Sequence, residues 1–516
     1  MSLKYNLNLD FKADVASHLK SRFPDMESFR ILSKSLDARG ANRGKRPRYL
    51  YTVEVIKSGE VFDQVETHFL KLPRFKKPPV IIGAGPAGLF CALRFAEYGI
   101  PTIILERGGP AQERMKKISK FWRYGELDPE DNVCYGEGGA GLFSDGKLIT
   151  RVKSPHIKYV MKKFVEFGAP EETAYISNPH LGSNKIRSLI SSIGEFLKEN
   201  GHVIHYHSKV DEILFDEKKT KGIKLSNGKM IETDHVILAT GHSAGDMYEH
   251  LSKKDVAMKA KDFSIGVRIE HRRKTIDQIQ YGKFSTSSEL GTARYRLSYH
   301  DKLSDRGTYS FCMCPGGYVL SSGTEGDGIV VNGMSNFSRR SPWSNSALVV
   351  SVKAGVDFDA KDDVLSGLRF QRHIEKKAYE FSLKHATGRE IPAQNLMNFM
   401  NGVKGFSPNT KTSCPSKLVP ASLDEILPDF ITNHLKEALN NFNEKMHGFL
   451  DSDALLLAPE TRTSAPITLL RHKETLESLS HKGLYPAGEG AGHAGGITSA
   501  AVDGIRIAES IISEIV

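Results

Sequence analysis

The sequence predicts an α/β chain of several domains. A Rossmann-like parallel sheet carries a three-stranded β-meander, with an inserted α+β domain and a small amino-terminal α/β domain of ferredoxin-like type. Three observations predict this. A strand–glycine-turn–helix–strand unit lies at residues 79–106, and a Gly-rich strand-to-helix segment at 483–512 returns the chain to the same sheet. Between them, residues 262–458 lose the alternating βα rhythm.

The first unit explains most of the rest. Val80-Ile81-Ile82 is a short apolar strand ending in Gly83-Ala84-Gly85-Pro86-Ala87-Gly88. A helical run, Leu89 to Tyr98, and a second strand, Thr102 to Leu105, lead to Glu106. Gly83 permits the tight turn, Gly85 lets backbone approach a pyrophosphate, and Gly88 lets helix and strand pack closely. The helix N-terminus favours negative charge, and Glu106 stands where a carboxylate accepts from a ribose hydroxyl. A lone glycine motif is weak evidence, but strand, helix, strand and acid in order make a dinucleotide site.

At 516 residues the chain can bury a large core and divide into two or three domains. The divisions read as 1–77, 78–261, 262–458 and a carboxy-terminal return over 459–516. A formal charge of +10, from 71 basic and 61 acidic residues, suits phosphate-rich ligands but is no nucleic-acid signature. Five cysteines without framework spacing argue against a disulfide-stapled secreted fold, and no apolar stretch is long enough to span a membrane. With no evident signal peptide, cytoplasm is the expected compartment.

Before the glycine turn, Ala13–Arg22 reads as a helix, with strands at Phe29–Leu32 and Arg48–Ile56. The Arg-rich loop between those strands is either a solvated edge or a partner site. KLPRFKKPP, residues 71–79, reads as a linker. After Arg107 the pattern predicts a helix over Ala111–Phe121. The run Cys134–Lys147 follows, whose glycine density fits chain pressed against a flat ligand or its phosphates, near Ser144 and Lys147. Helices follow at His156–Phe167 and Ser183–Asn200, and a strand at His202–Tyr206. A meander of Val210–Phe215, Gly222–Leu225 and Met230–Leu238 has a hairpin signal at Asn227-Gly228. It leads through Ala239-Thr240-Gly241, which brings the chain back toward the ligand.

In the inserted part, strands are expected at Phe263–Glu270, Thr292–Ser298, Tyr309–Met313 and Gly328–Gly333. Helices are expected near Ala347–Val352, Leu368–His385 and Ile431–Phe442. The final return, Gly483–Ile497, contains Gly488 and Glu489, suited to accept from a polyhydroxyl linker. Amides near Gly496 and Ile497 can face a ring oxygen that becomes negative on reduction.

These segments together resemble the two-dinucleotide-domain, glutathione-reductase-like flavoproteins. More closely they resemble the bacterial group described as uncharacterised FAD-dependent, or NAD(FAD)-utilising, dehydrogenases. The likeness runs over nearly the whole chain. It is carried by SLDAR at 35–39, GAGPAGL at 83–89, GEGGAGLFSDGKL at 136–148, ATG at 239–241, GVRIEH at 266–271, FCMCPGG at 311–317, ETRTSAP at 460–466 and PAGEGAGHAGGI at 486–497. The resemblance implies FAD, and with no attachment motif evident its binding is expected to be non-covalent. Gly83, Gly85, Pro86, Ala87 and Gly88 would lie at its pyrophosphate, and Glu106 and Arg107 near the ribose. Gly138, Gly139, Ser144 and Lys147 would lie near pyrophosphate and flavin. Val210, Thr240 and Gly241 would also line the cofactor, with Gly488 and Glu489 at its linker and Gly496 and Ile497 at the flavin O2 edge. In that group a tyrosine often stands at position 493, so His493 implies a changed cavity.

The candidates for chemistry are His493, Arg268, Glu270 and Arg462. His493 is a proton donor or a loop histidine satisfying backbone groups. Arg268 and Glu270 share one strand face, as substrate contacts or an ion pair. Arg462 either binds an anionic substrate or fixes the returning strand. Cys312 and Cys314 read as packing of a ligand-adjacent loop ahead of a redox pair, because CxC lacks the CxxC spacing. No metal set is evident. The expected activity is an FAD-dependent oxidoreductase acting on a small or medium organic substrate. No second complete GxGxxG unit follows, so the donor is transient NADH or NADPH, an electron-carrier protein, or the substrate itself. The alternatives are an FAD-dependent RNA- or macromolecule-modifying enzyme, although nucleic acid is an unlikely partner on this charge, and a non-enzymatic flavin-stabilised partner-binding protein.

Overall fold

The computed structural model describes residues 3–62 and 69–515. Its centre is a five-stranded parallel sheet in the order Leu484–Pro486, Val236–Leu238, Val80–Ile82, Ile103–Leu105, Val203–His205. Each strand has only three residues, and the four other than the edge strand Val203–His205 are largely buried and read as continuous apolar runs. The strand order reverses between Val80–Ile82 and Val236–Leu238. In an open α/β sheet, that is where a crevice forms beyond the carboxyl ends of the strands. Helices Pro86–Glu97 and Ile497–Ile512 pack on each other over one face. Gly504 makes this possible, because a Cβ there would stand 2.0 Å from the Ala87 carbonyl oxygen.

The meander forms as a three-stranded antiparallel sheet, Val210–Asp216, Lys219–Leu225 and Met230–Glu232. The expected strand Met230–Leu238 is two strands. It breaks at Thr233-Asp234-His235, where the Thr233 hydroxyl donates to the Pro78 and His235 carbonyls, and Val236–Leu238 then joins the parallel sheet.

The inserted portion is built on a mixed seven-stranded sheet whose middle holds Arg306–Cys314, Trp343–Val352, Phe263–Arg272 and Leu455–Glu460. Strand Leu455–Glu460 runs across the expected 458/459 division. Two expectations fail here. Residues 347–352, expected to be helical, lie in the ten-residue strand Trp343–Val352, paired on both edges with antiparallel neighbours. Its Val349, Val350 and Val352 are buried, and β-branched side chains fill a pleated core surface better than a helix face. Residues 292–297 are not a strand. Asp277 Oδ1 accepts from the Ala293 amide at 2.7 Å and Ser310 Oγ from the Leu297 amide at 2.8 Å, so side chains satisfy this backbone until the ladder starts at Ser298. Helices Ser366–His385 and Asp429–Lys445 flank the sheet.

The amino-terminal part has strand Leu3–Asp10, helix Val15–Arg22 and strands Met26–Asp37 and Arg48–Lys57, with Arg48–Lys57 central. The helix starts at Asp14, whose carboxylate accepts from the Ser17 amide at 2.7 Å. This is the βαββ portion of a ferredoxin-like arrangement. Its second helix and fourth strand are not found among the described residues. The Arg-rich loop turns back on its own acids: Arg39 is paired with Asp37 and Arg46 with Asp10, while Arg48 donates to Asn8.

Candidate cofactor cleft

The cleft opens at the strand-order reversal. Gly83 has φ +106°, and a Cβ there would stand 2.3 Å from the Ala239 carbonyl oxygen, so the turn and the neighbouring strand exit touch backbone to backbone. A Cβ on Gly88 would stand 2.0 Å from the Gly83 carbonyl oxygen, which fixes the helix against its own strand. Gly85 differs. It has ordinary φ of −81°, caps the helix, and a Cβ there meets nothing within 4 Å. Gly495 and Gly496 face open space in the same way, as does Gly241, although its φ of +71° is itself a reason for glycine. Glycines that no protein atom requires, next to glycines that packing does require, leave bare backbone along one cleft. That is the cradle an extended dinucleotide fits. Pro86 and Ala87 open the helix behind Gly85, and Gly488 packs over Ala87, its amide donating to Asp503 at 2.8 Å.

Glu106 ends its strand buried, accepting from the amides of Ala84 (2.9 Å), Gly108 (3.0 Å) and Gly136 (2.9 Å). A carboxylate offers about four lone-pair sites, so three amides orient it and leave one acceptor for a hydroxyl. Arg107 is held by Asp246 at 2.8 Å and lies over the Tyr135 ring. The Gly136–Lys147 run lies beside the glycine turn. The Gly138 amide donates to the Ala84 carbonyl at 2.8 Å, and Gly139 lies against Gly85. Ser144 is structural, its hydroxyl donating to the Gly141 carbonyl and accepting from the Gly146 amide. Lys147 reaches across the cleft to donate to the Met313 carbonyl. Ile497 packs on Gly141 at the start of the last helix. Thr240 and Gly241 form the strand exit opposite Gly490. Val210 is buried in the meander's apolar core with Ile82 and Leu105, so only its backbone is placed to line a ligand.

Glu489 is half-buried, and its carboxylate takes no hydrogen bond among the described residues. Burial pushes it up to about 7, opposed by the Lys261 ammonium. The four candidates for chemistry each have a different partner within the protein. His493 donates through Nε2 to the Leu469 carbonyl, 2.8 Å away, and burial lowers its pKa. A carbonyl only accepts, so the ring is the Nε2–H tautomer, occupied by backbone. Arg268 is fully buried and bidentate to Glu460 at 2.6 Å. Glu270, on the same strand face, accepts instead from the Ser413 amide and hydroxyl. Arg462 is bidentate to Glu375 at 2.7 and 3.0 Å and donates to Thr324. Three of the four are thus committed to ion pairs or backbone within the protein, and Glu270 to Ser413. Sequence reasoning missed Lys261 and His242 as cleft residues. His242 is held neutral by burial, at about 4, with Nδ1 at the Ser243 hydroxyl. Its only signal was its place after Ala-Thr-Gly; Lys261 carried none. The described residues hold no metal-binding cluster and no helix long and apolar enough to cross a membrane.

Residues 77–263 match the family model described as pyridine nucleotide-disulphide oxidoreductase, and residues 262–463 match "FAD-dependent protein, C-terminal domain-like". An uncharacterized protein of Clostridium beijerinckii is 39% identical over 534 aligned positions, spanning 100% of this chain and 97% of that one. The chain belongs to one family with it. This flavoprotein therefore carries FAD-dependent oxidoreductase-like domains. Among solved structures it is similar to CtdE in complex with FAD (12% identity, 86% of this chain, 84% of that chain, TM-score 0.30). It is also similar to a triple mutant of the flavin-dependent brominase Bmp2 (12%, 84%, 80%, 0.37) and to an E. coli quinol fumarate reductase FrdA mutant (11%, 86%, 70%, 0.38).

In the flavoprotein, Glu489 yields a pH prediction. Its folded pKa of about 7 lies above the unfolded value of about 4.3, so the folded state binds this proton more tightly. Its contribution favours folding below pH ~4.3, falls as pH rises through ~7, and is flat above. Glu489→Gln is expected to stabilise FAD-free protein by about 1–3 kcal/mol at pH 8 and by nothing near pH 4.5. Thermal melts at the two pH values check this. An equal midpoint for both proteins at pH 8 would show that the carboxylate is not desolvated.

Proposed function

We propose that this protein is an FAD-dependent oxidoreductase that binds FAD non-covalently and passes two electrons between it and a small or medium organic substrate. The observation that carries this is the line of open-faced glycines, Gly85, Gly241 and Gly496, at the sheet's reversal point beside an unpartnered Glu489. Bound FAD supplies the hydride chemistry. The turn amides and helix start at Gly85–Gly88 would hold the pyrophosphate, Glu106 the adenosine ribose, and Glu489 the polyhydroxyl linker. The first-turn amides of helix Ile497–Ile512 would face the ring oxygen on which charge develops. The seven-stranded sheet walls the cleft opposite and keeps water from the reacting face, and substrate enters between that wall and the glycine turn. The finer expectation, a dehydrogenase served by transient NADH or NADPH, fits the resemblance of the whole chain to that bacterial group.

The test is an anaerobic visible spectrum of protein reconstituted with FAD, before and after NADH and NADPH added separately. The expected result is retained oxidised-flavin bands, bleached by one nucleotide. Protein that retains no flavin after reconstitution and desalting would end this reading. Retained bands that only dithionite bleaches would instead assign reduction to a carrier protein or the substrate.

A further inference from the structure

The cap strand Arg306–Cys314 departs from regularity where it meets the cleft. Its ladder to Trp343–Val352 runs in step from Thr308 to Phe311 and resumes at Cys314 opposite Asn345, so it accommodates one extra residue. Cys312 sits in this bulge with φ +45°, a left-handed conformation unusual for a residue other than glycine. A bulge bends its strand and re-aims a side chain. Here Cys312 is half-buried at the cleft wall while Cys314 is buried behind it, and Cys312 lies near enough to Glu489 to act on its charge.

The surroundings are not those of packing thiols. Cys314 Sγ donates to the Cys312 carbonyl at 3.2 Å. Arg268 Nη1 donates to the same carbonyl at 3.1 Å and stands 4.0 Å from Cys314 Sγ. The Lys147 ammonium donates to the Met313 carbonyl between the two cysteines. Two cations therefore frame a pair of adjacent thiols, one facing the cleft. Thiols that serve as apolar filler need neither.

We infer that Cys312 and Cys314 are a redox-active thiol pair that exchanges two electrons with FAD bound in this cleft. This rests on the flavoprotein reading above. The Cys312 thiolate and the Cys314 thiol form one S–S bond, releasing two electrons and one proton. FAD gains those two electrons and that proton as FADH⁻, so charge and hydrogen balance. In the reverse direction FADH⁻ reduces the disulfide. The neighbouring Cys314 and the Lys147 and Arg268 cations lower the Cys312 thiol, while the Cys312 sulfur and burial raise Cys314. That asymmetry supplies one nucleophilic and one protonated sulfur. The bulge and the left-handed Cys312 backbone break the regular extended geometry on which the spacing objection to CxC rests.

The experiment is an anaerobic dithionite titration of FAD-loaded protein, with iodoacetamide labelling under denaturing conditions read by mass spectrometry. Unsubstituted oxidised protein is expected to consume four electrons per bound flavin. It should label three of its five cysteines, and five after full reduction. Cys312→Ser and, separately, Cys314→Ser should each consume two electrons. Labelling of the unsubstituted protein guards against a variant that fails to fold. Two electrons for the unsubstituted protein, with all five cysteines labelled when oxidised, overturns the inference. So does a disulfide that survives complete flavin reduction. Protein that holds no flavin fails both readings, whereas flavin retained with two-electron uptake fails this one alone.

Discussion

Arg268→Met is expected to destabilise the protein by about 3–5 kcal/mol, the range found when one partner of a buried ion pair is removed. Arg268 has no solvent exposure, and its guanidinium satisfies Glu460 twice at 2.6 Å, the Cys312 carbonyl and Asn345 at 3.1 Å, and Asn332 at 3.0 Å. Methionine matches the stem but leaves a carboxylate and three neutral acceptors without their donor in the cap sheet. The controlling comparison is Arg268→Met with Glu460→Leu. If the penalty is the orphaned charge, the double variant should regain at least half the loss, because paired apolar replacements avoid it. Urea unfolding at matched slope reads both. A loss under about 1 kcal/mol for the single variant would mean that water reaches Glu460, contrary to its burial.

Gly85→Ala and Gly88→Ala should fail in opposite ways. At Gly88 the added methyl would stand 2.0 Å from the Gly83 carbonyl, so helix and strand must separate and the FAD-free protein itself should lose several kcal/mol, about the overpacking range or more. At Gly85 the methyl meets no protein atom within 4 Å and the backbone already suits alanine. The FAD-free melting temperature should therefore move little, with a capping cost of about 1 kcal/mol at most. FAD affinity should nevertheless fall on the order of 100-fold, about 2.7 kcal/mol, because the methyl would occupy the proposed line of the pyrophosphate. Fluorescence titration with FAD, beside melts of the FAD-free proteins, separates the two. Unchanged affinity in Gly85→Ala would remove the cradle from Gly85.

The packing roles of Gly83 and Gly88 were legible because each is a steric statement about a missing Cβ, and sterics are local. The same locality made the meander and the long helices readable. It failed at Trp343–Val352, where Ala347, Leu348 and their valines carry no alternation: a strand buried on both faces and a buried helix look alike until neighbours are known. The chemistry candidates show a second limit. Shared-face geometry on strand Phe263–Arg272 was readable, but Arg268 finds its partner 192 residues away at Glu460, while Glu270 finds Ser413. Cys312 shows a related limit. Extended spacing argued against a CxC pair, and only pairing with a distant strand reveals the bulge that changes that spacing.

The two crossings between the parallel sheet and the cap lie side by side. Met258–Ala260 pairs with Ile467–Leu469, and the Lys261 amide donates to the Pro466 carbonyl at 2.9 Å. The whole cap is therefore looped out from one seam, and the strand that completes the parallel sheet, Leu484–Pro486, is made only after it. During translation the Val236–Leu238 edge must wait, unpaired, while the ribosome adds the cap, and neither Glu489 nor helix Ile497–Ile512 exists until the final stretch emerges. On the proposed FAD site, cofactor capture would follow completion of the cap. A nascent chain stalled before residue 484 would present a sticky sheet edge and half a cradle, a substrate for chaperones rather than for FAD.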